Sequence, residues 1–386
     1  MKSLGKIAVA GCALALSFCV GFTWKDLRTG NRPSGEAFTR LVTGKIDQGT
    51  TPTELFRDNY DLILSRYHKP VDPKDLKYAG MEGLFSSLGD PPTVFLPPQE
   101  AKNFQIETEG NYAGIGARLG PDPLGVRVDG VFKDGPADKA GMMAGDVLTK
   151  IDGKDISGRD IDEIVELVRG GEGTPVTMQA LRAGEKQPIK LRILRAMVVV
   201  PTVESLMIAD TGIGLISVYS FSEITAKQFD TALYELLESD PRGLVIDLRG
   251  NPGGLLDTTV EMLERFLEGK TVVTMQHKGG GRETTSTRRG RTVGFNGPVV
   301  VLMNSDSASA SEIFAGVMRD YNRATLIGEH SYGKASVQGV ILLKDMSTAK
   351  VTIARYYLPG GENFSRKVDE DGVYISGGLK PNYAVE

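Results

Sequence analysis

From residue 200 onward, short apolar segments alternate with amphipathic segments, and this alternation constrains the fold more than any other feature of the chain. The segments "GLVIDLRG" (243–250) and "PVVVLMN" (298–304) are almost continuously apolar, as strands buried on both faces are. The segments "TAKQFDTALYELLESD" (225–240) and "SEIFAGVMRDYN" (311–322) are typical of helices. Apolar strands that alternate with amphipathic helices predict a layered α/β core with a partly parallel sheet.

Two regions with different patterns precede this core. Residues 33–107 are predicted to be mostly helical, and "TPTELFRDNYDLILSRY" (51–67) has apolar residues near helical spacing after a cap at Thr51 or Thr53. Residues 108–196 contain short alternating segments and frequent glycine, which predict a small β-rich module with one or two helices. Within the core, the glycine- and charge-rich stretch 277–294 is predicted to be a mobile loop.

The first 24 residues predict export. Lys2 and Lys6 precede the uncharged run "IAVAGCALALSFCVGF" (7–22), which is the pattern of a secretory signal peptide or an uncleaved signal anchor. The protein is therefore expected to be periplasmic, or anchored by this segment alone and facing the extracytoplasmic side. Both cysteines, Cys12 and Cys19, lie in this run, which excludes thiolate nucleophiles, disulfides and Cys-based zinc sites from the rest of the sequence.

The charge balance argues against nucleic acid as the main partner. The chain carries 45 basic and 49 acidic residues, for a net charge of −4. A polyanion would be attracted by a large excess of basic residues, and this sequence has none.

The stretch "NSDSASASE" (304–312) raises the question of which of its four alternating serines, if any, has a chemical role. It lies between a predicted buried strand and a predicted helix, where ligands and catalytic groups gather in α/β sheets. Ser309 and Glu312 fit an S-x-x-E capping box, so Ser309 is predicted to be the N-cap. The free N–H groups at that helix end would also favour an oxyanion. A well-capped helix without catalysis fits the same residues.

A reactive serine needs a base, and the sequence offers few. The three histidines, His68, His277 and His330, stand in no recognisable Ser-His-Asp pattern. Lys334 in "GEHSYGKASVQG" is the alternative, because a sufficiently buried lysine can be neutral, and Gln338 four residues later shares a face with it. In "DLRGNPGG" (247–254), Gly253 and Gly254 permit a turn with exposed backbone N–H groups after another buried strand. A solvated lysine and a simple turn are the competing interpretations.

Together these segments resemble the carboxyl-terminal processing proteases, serine peptidases also called tail-specific proteases. Similar stretches include "DPPTVFLPPQE", "GPADKAGMMAGDVLTKIDG", "LVIDLRGNPGG", "SASASEIFAGVMRDYNRATLIGEHSYGKASVQ" and "ARYYLPGGENF". The resemblance implies an α/β and α+β multidomain protein: a helical N-terminal region (33–107), an inserted β-rich PDZ domain (108–196) and a crotonase-like α/β protease core (197–386).

The resemblance also implies a role for each candidate residue. Ser309 would be the nucleophile, Lys334 its base and Gln338 the residue that orients the lysine, with the N–H groups of Ala310 and Gly253 forming the oxyanion hole. Neutral Lys334 would take the Ser309 proton during attack on a peptide carbonyl, and water would later hydrolyse the acyl-enzyme. No metal or cofactor is expected.

The PDZ domain would bind an extended peptide as an added strand and hold its C-terminal carboxylate in backbone N–H groups. In "YAGIGA" (112–117), Gly114 and Gly116 would free the backbone of the carboxylate loop, while Ile115 and Ala117 would line the side-chain pocket. The expected partners are protein or peptide substrates with free C-termini, and a homo-oligomer or a regulatory partner is compatible with the resemblance.

Three other functions remain open from the sequence. A catalytically silent PDZ scaffold would not need both Ser309 and Lys334, which are present. A crotonase-like acyl-CoA enzyme could share the core but would need neither export nor a PDZ module. A Ser-His hydrolase would need a histidine beside Ser309, and His330 is the candidate.

Overall fold

The computed structural model describes residues 51–369 and 374–385, so the predicted signal segment (1–24) lies outside the described residues. The described residues fall into two compact units, with the boundary between Lys77 and Tyr78. The first elements are α1 (Pro52–Arg66), α2 (Pro73–Ser86), β1 (Val94–Leu96) and α3 (Pro98–Glu109). Thr51 caps α1, as predicted, in a capping box with Glu54. In the part of the chain that the structure covers, no helix is long and apolar enough to cross a membrane.

The β-rich module follows α3 and is built on an antiparallel sheet. Its elements are β2 (Asn111–Gly114), β3 (Ala117–Asp122), β4 (Gly125–Val131), α4 (Pro136–Lys139), β5 (Val147–Ile151), β6 (Lys154–Asp155), α5 (Ile161–Val168), β7 (Pro175–Leu181), β8 (Ile189–Leu194) and β9 (Ala196–Val199). The sheet order is β3-β4-β5-β7-β8, with β6 beside β5. Alternate residues such as Val128, Leu148 and Met178 are fully buried in its own core. The first and last strands, β2 and β9, pair with each other where the chain enters and leaves the module.

The remaining described residues form a six-stranded sheet, most of a five-stranded sheet, a separate two-stranded sheet and the helices between them. Their elements are β10 (Val203–Ile208), β11 (Ile213–Val218), α6 (Thr225–Glu238), β12 (Gly243–Asp247), α7 (Leu256–Leu263), β13 (Thr271–His277), β14 (Arg282–Ser286), β15 (Val299–Met303), α8 (Ala310–Asp320), β16 (Thr325–Gly328), β17 (Ser336–Leu342), β18 (Thr348–Tyr357), β19 (Lys367–Val368), β20 (Tyr374–Ser376) and β21 (Tyr383–Ala384).

The main sheet of this core has the order β10-β11-β12-β15-β16-β21. The pairs from β11 to β21 are parallel, and only β10 runs antiparallel to its neighbour. Phe229 on α6 and Phe314 on α8 pack in the same apolar cluster as Ile246 of β12. The predicted α/β core with a partly parallel sheet is confirmed, and the carboxyl ends of β12 and β15 meet at one edge.

A second core sheet has the order β1-β18-β13-β14, with β17 also paired to β18. The prediction of a mobile loop at residues 277–294 was wrong for its first part, because β13 and β14 pair as an antiparallel hairpin. Gly279 and Gly280 form its turn with φ near +90°, a conformation that costs glycine little. The threonines that follow favour an extended strand, so the glycines mark a hairpin turn and not a disordered segment.

Candidate active site

Ser309 occupies a strained bend between β15 and α8. Its backbone has φ 53° and ψ −112°, and it is the N-cap of α8. A positive φ at a residue with a side chain costs on the order of 1–3 kcal/mol, so neighbouring contacts must impose this conformation. The bend places Ser309 at the carboxyl end of a parallel strand and beside the first free N–H groups of a helix.

The flanking serines fasten this bend to the turn that follows β12. The buried Ser307 hydroxyl donates to the Leu248 carbonyl at 2.8 Å, and the buried Ser311 hydroxyl donates to the Asn251 carbonyl at 3.0 Å. The Asn251 carbonyl also accepts from the Ala308 N–H. The structure thus gives Ser307 and Ser311 structural roles.

Glu312 holds the start of α8 against the segment that precedes β17. Its Oε2 accepts hydrogen bonds from the N–H groups of Ser309 and Lys334, each at 2.8 Å. Its Oε1 accepts from the Gly333 N–H at 2.7 Å and from the Ser331 hydroxyl. The backbone nitrogens of Ser309 and Lys334 therefore lie within two hydrogen-bond lengths of each other. One carboxylate brings the candidate nucleophile and the candidate base together.

The Glu312 carboxylate is 1% exposed, and within the described residues it forms no ion pair. Burial raises the pKa of Glu312, and the hydrogen bonds from Ser331, Lys334, Gly333 and Ser309 oppose that rise. A buried carboxylate is tolerated when donors saturate its oxygens. From the sequence Glu312 was only the last residue of an S-x-x-E capping box, so its contacts with residues 331–334 were missed.

A second lysine lies near Lys334. Burial and the charge of Lys334 lower the pKa of Lys350, which lies on β18. The Lys350 ammonium also sits 4.3 Å from the centre of the Phe104 ring on α3. Lys334 itself is half-buried immediately before β17. The site thus contains two neighbouring lysines, and no local pattern in the sequence singles out Lys350.

Gln338 lies on β17, where the register with β18 shifts between Val337 and Gln338. Its Nε2 donates to Thr352 Oγ1 at 2.9 Å and to Ser336 Oγ at 3.1 Å. Its Oε1 is buried and has no hydrogen-bond partner in the described residues. The face shared by Gln338 and Lys334 stays a prediction, since no hydrogen bond joins their side chains there.

The glycine turn after β12 lies directly against Ser309. A Cβ on Gly253 would stand 2.8 Å from the Ala310 nitrogen and 2.8 Å from Ser309 Cβ. The Gly253 N–H donates to Asn251 Oδ1 at 2.8 Å, so Gly253 would have to release this bond to serve an oxyanion. Its role, like that of the Ala310 N–H, stays a prediction.

Replacement of Gly253 by alanine is expected to lower kcat/KM by about 100-fold or more, because the new Cβ would displace the nucleophile's segment. It would also meet the Ala308 carbonyl at 2.6 Å, and the φ of +100° disfavours any side chain. Gly250→Ala is the matched control: it has a φ of +73° but nothing within 4 Å of its Cβ. Thermal unfolding should show a loss of stability in both variants. Kinetics should show a large loss of activity in Gly253→Ala alone. Equal activity of the two would contradict the proposed proximity.

The histidines form no hydrogen bond with Ser309 in the part of the chain that the structure describes. His68 and His330 are exposed, and His277 faces Glu283 at 3.6 Å. In the same part of the chain, no cluster of three or more His, Cys, Asp or Glu side chains could hold a metal ion.

The candidate carboxylate loop joins β2 to β3. Gly116 has a φ of +76°, and a Cβ on Gly114 would stand 2.3 Å from the Tyr112 ring. The carbonyls of Ile115 and Gly116 accept from the N–H groups of Ala137 and Phe132, which fixes the loop. Ile115 is 1% exposed in the core of the module, whereas Ala117 is half-buried.

Arg169, which follows α5, is the residue near this loop that sequence reasoning missed. Its guanidinium lies 5.5 Å from the centre of the Tyr112 ring, and its Nη1 donates to Asn103 Oδ1. Its Nε is buried and has no acceptor within the described residues. A buried donor without an acceptor is uncommon, and the Nη1 of the same guanidinium also faces Glu166 Oε1 at 3.5 Å. The only sequence signal was an arginine at the end of the predicted helix.

Comparisons with known proteins match both parts of this architecture. Residues 212–385 match the model of peptidase family S41, and residues 127–182 match a PDZ domain model. These ranges lie inside the predicted core (197–386) and the predicted module (108–196), whose boundaries stay predictions.

Individual relatives resemble the chain over most of its length. It is 34% identical over 359 residues to carboxy-terminal processing protease CtpA of Bacillus subtilis, covering 91% of this chain and 74% of that protein. It is 35% identical over 311 residues to the carboxy-terminal-processing protease of Bartonella bacilliformis, covering 79% of this chain and 71% of that one. Among solved structures, the photosystem II D1 C-terminal processing protease aligns with a TM-score of 0.47 and 26% identity over 87% of each chain.

Proposed function

The chain belongs to peptidase family S41 as a carboxy-terminal processing protease with a PDZ domain, and on this premise we propose that it cleaves proteins with a Ser309–Lys334 dyad after recognising their C-terminal tails. It is a serine-type peptidase. The hydrogen bonds from the Ser309 and Lys334 N–H groups to the same Glu312 oxygen are the observation that carries the dyad.

In the proposed mechanism, neutral Lys334 accepts the Ser309 hydroxyl proton as the serine oxygen attacks the peptide carbonyl. The resulting tetrahedral intermediate collapses to an acyl-enzyme as the Lys334 ammonium donates its proton to the leaving amine, which releases the C-terminal fragment. Neutral Lys334 then takes a proton from water as the water oxygen attacks the ester, and it returns this proton to Ser309 when the acyl group leaves. Glu312 keeps the two backbone segments in register through both steps, and positioning of this kind accounts for a large part of enzymatic rate enhancement.

The developing oxyanion is proposed to bind at the start of α8. The Ala310 N–H is the first of the helix, and the helix dipole favours negative charge at this end. Gly253 packs against the same position. The contacts of Ser307 and Ser311 with the turn after β12 hold these two backbone segments together before substrate binds.

Tail recognition is proposed to use the loop at 112–117 together with Arg169. Backbone N–H groups of such loops bind carboxylates, and a peptide can extend the sheet at β3. Arg169 would add a charge-assisted hydrogen bond through its unpartnered Nε, at the position where its guanidinium contacts Tyr112 beside the loop.

This proposal predicts that the enzyme distinguishes two peptides that differ only in a free C-terminal carboxylate or a carboxamide. The carboxylate form is expected to be cleaved about tenfold or more faster at low concentration, because a charge-assisted contact of roughly 1.5–3 kcal/mol is lost in the amide. Arg169→Gln should reduce that ratio, mainly through KM. Arg159→Gln, which removes an exposed arginine before α5 of the same domain, should leave it unchanged. Equal cleavage of both peptides by the wild-type protein would contradict tail recognition.

Export is proposed from the N-terminal sequence. The basic start and apolar run of residues 1–24 support a periplasmic or membrane-anchored enzyme that acts outside the cytoplasm. Its partners are then exported proteins with accessible C-terminal tails. Fractionation of cells expressing the full chain tests this proposal: recovery in the cytoplasm would contradict it.

A further inference from the structure

In the carboxamide of Gln338, the nitrogen has hydrogen-bond partners and the oxygen has none within the described residues. Both of its Nε2 hydrogens are directed to hydroxyl oxygens, Thr352 Oγ1 at 2.9 Å and Ser336 Oγ at 3.1 Å. Its Oε1 is buried and has no donor within the described residues. Oxygen and nitrogen of such an amide can exchange places by a flip, so its orientation depends on what its neighbours can donate.

Asp90 accepts a hydrogen bond from the Thr352 hydroxyl. The Thr352 hydroxyl donates to Asp90 Oδ2 at 2.5 Å, and the Thr93 hydroxyl donates to the same oxygen at 2.5 Å. The Thr352 N–H in turn donates to Thr93 Oγ1 at 3.0 Å. Because a hydroxyl has one proton, Thr352 Oγ1 can only accept from Gln338. The Gln338 amide must therefore turn its NH₂ group toward Thr352 and its Oε1 away.

The face of the sheet that carries these residues also carries Lys350, and the strand of Gln338 begins two residues after Lys334. Gln338 and Thr352 are directly opposite each other on β17 and β18. Lys350, two residues before Thr352, lies on the same face, since side chains alternate along a strand. Its ammonium is close enough to Lys334 for their charges to interact. The Gln338 carboxamide thus lies on the face that carries Lys350 and follows the candidate base by four residues along one segment.

We propose that Asp90 and Thr352 are positioning residues that lock the Gln338 carboxamide with Oε1 available as the acceptor for the Lys334 amino group. The relay runs from Asp90 through the Thr352 hydroxyl to Gln338 Nε2. This inference rests on the proposed role of Lys334. It assigns a function to the segment 90–93, which precedes the PDZ domain in the chain, in supporting a base that follows it.

The inference is tested by a double-mutant cycle with Thr352→Val and Gln338→Ala, measured with a peptide substrate that the wild-type protein cleaves. Thr352→Val frees the amide to flip and is expected to lower kcat about 10- to 50-fold, with KM within about twofold. In the Gln338→Ala background it should cost no more than about twofold further, because the relay acts only through the amide. Thr352→Ser restores the hydroxyl and should recover kcat to within about threefold.

A merely structural role for Thr352 predicts different results. The relay would be refuted if the losses of kcat in Thr352→Val and Gln338→Ala multiply in the double variant. It would also be refuted if Thr352→Ser loses as much kcat as Thr352→Val. Thr348→Val removes another buried hydroxyl from β18, one outside the relay, and should leave kcat unchanged. Thermal unfolding identifies any variant that does not fold. Should Thr352→Val be one, Asp90→Asn replaces it, and its loss of kcat must likewise disappear when Gln338 is alanine.

Failure of the relay and failure of the dyad are distinguishable. Lys334→Met is measured first with the same peptide, and retained cleavage there would refute the proposed function. If Lys334 is essential while Thr352→Val and Asp90→Asn leave kcat unchanged, the dyad stands and the relay is refuted.

Discussion

Replacement of Ser309 by alanine is expected to lower kcat/KM by about 10⁴-fold or more, to the residual level that binding and oxyanion stabilisation alone provide. The substitution removes only the hydroxyl group, and the acyl-enzyme cannot form without its oxygen. The backbone contacts that fix the bend, above all the Ser309 N–H to Glu312, do not involve the side chain that is lost. Loss of the N-cap side chain should cost no more than about 2 kcal/mol of stability, and cleavage of an unfolded protein substrate is the measurement.

Ser305→Ala is the matched control for this substitution. Ser305 lies in the same segment, but it is exposed, and within the described residues only its N–H forms a hydrogen bond, to Glu329. Its variant is expected to cleave like the wild-type protein. Ser307 and Ser311 are unsuitable controls, because their hydroxyls hold the bend in place. Full activity of Ser309→Ala would show that another residue is the nucleophile.

Replacement of Lys334 by methionine is expected to lower kcat by about 10³-fold or more, with little change in KM, because the serine loses its base but the substrate contacts remain. Methionine keeps much of the length and apolar stem of the lysine. Lys334→Arg should be equally inactive, since a guanidinium stays protonated and cannot accept the serine proton. The Lys334 N–H to Glu312 is a backbone contact and should survive both changes.

Two controls accompany the lysine variants. Lys344→Met removes an exposed lysine between β17 and β18 and is expected to leave kcat unchanged. His330→Ala removes the alternative base and should also be fully active, because His330 is exposed and forms no hydrogen bond with Ser309 in the described residues. Activity retained in Lys334→Met and lost in His330→Ala would favour a Ser-His hydrolase.

Much of the fold follows from local sequence patterns. The apolar segments at 243–250 and 298–304 became β12 and β15, and the segments at 225–240 and 311–322 became α6 and α8. These elements are predictable because a strand buried on both faces gives a continuous apolar run, whereas a helix buried on one face gives apolar residues at helical spacing.

The sheet that contains β18 was not predictable in the same way. Its strands come from segments far apart in the chain, and β1 has only three residues, too few for a periodic pattern. The hairpin of β13 and β14 was mistaken for a mobile loop because its glycines and charges are equally typical of an exposed turn. Pairing between distant segments is a tertiary property that local pattern does not encode.

The candidate site was also predictable from the sequence only in part. Ser309 and Lys334 were proposed from a capping pattern, a candidate base and a family resemblance, but the contact that joins them passes through Glu312 and residues 331–334. Arg169 and Asp90 were missed for a related reason. Their significance lies in a buried atom without a partner and in a hydrogen-bond relay across distant strands, and neither leaves a trace in the local sequence.

The central claim is that Ser309, activated by Lys334, is the nucleophile, and covalent labelling tests it most directly. Wild-type protein and the variants Ser309→Ala, Lys334→Met and His330→Ala are treated with a fluorophosphonate, and the modified residue is identified by peptide mass spectrometry. We expect a single adduct on Ser309 in the wild-type and His330→Ala proteins, none in Ser309→Ala, and labelling slowed by about 10²-fold or more in Lys334→Met. An adduct on another residue, or labelling of Ser309 that depends on His330 and not on Lys334, would contradict the claim.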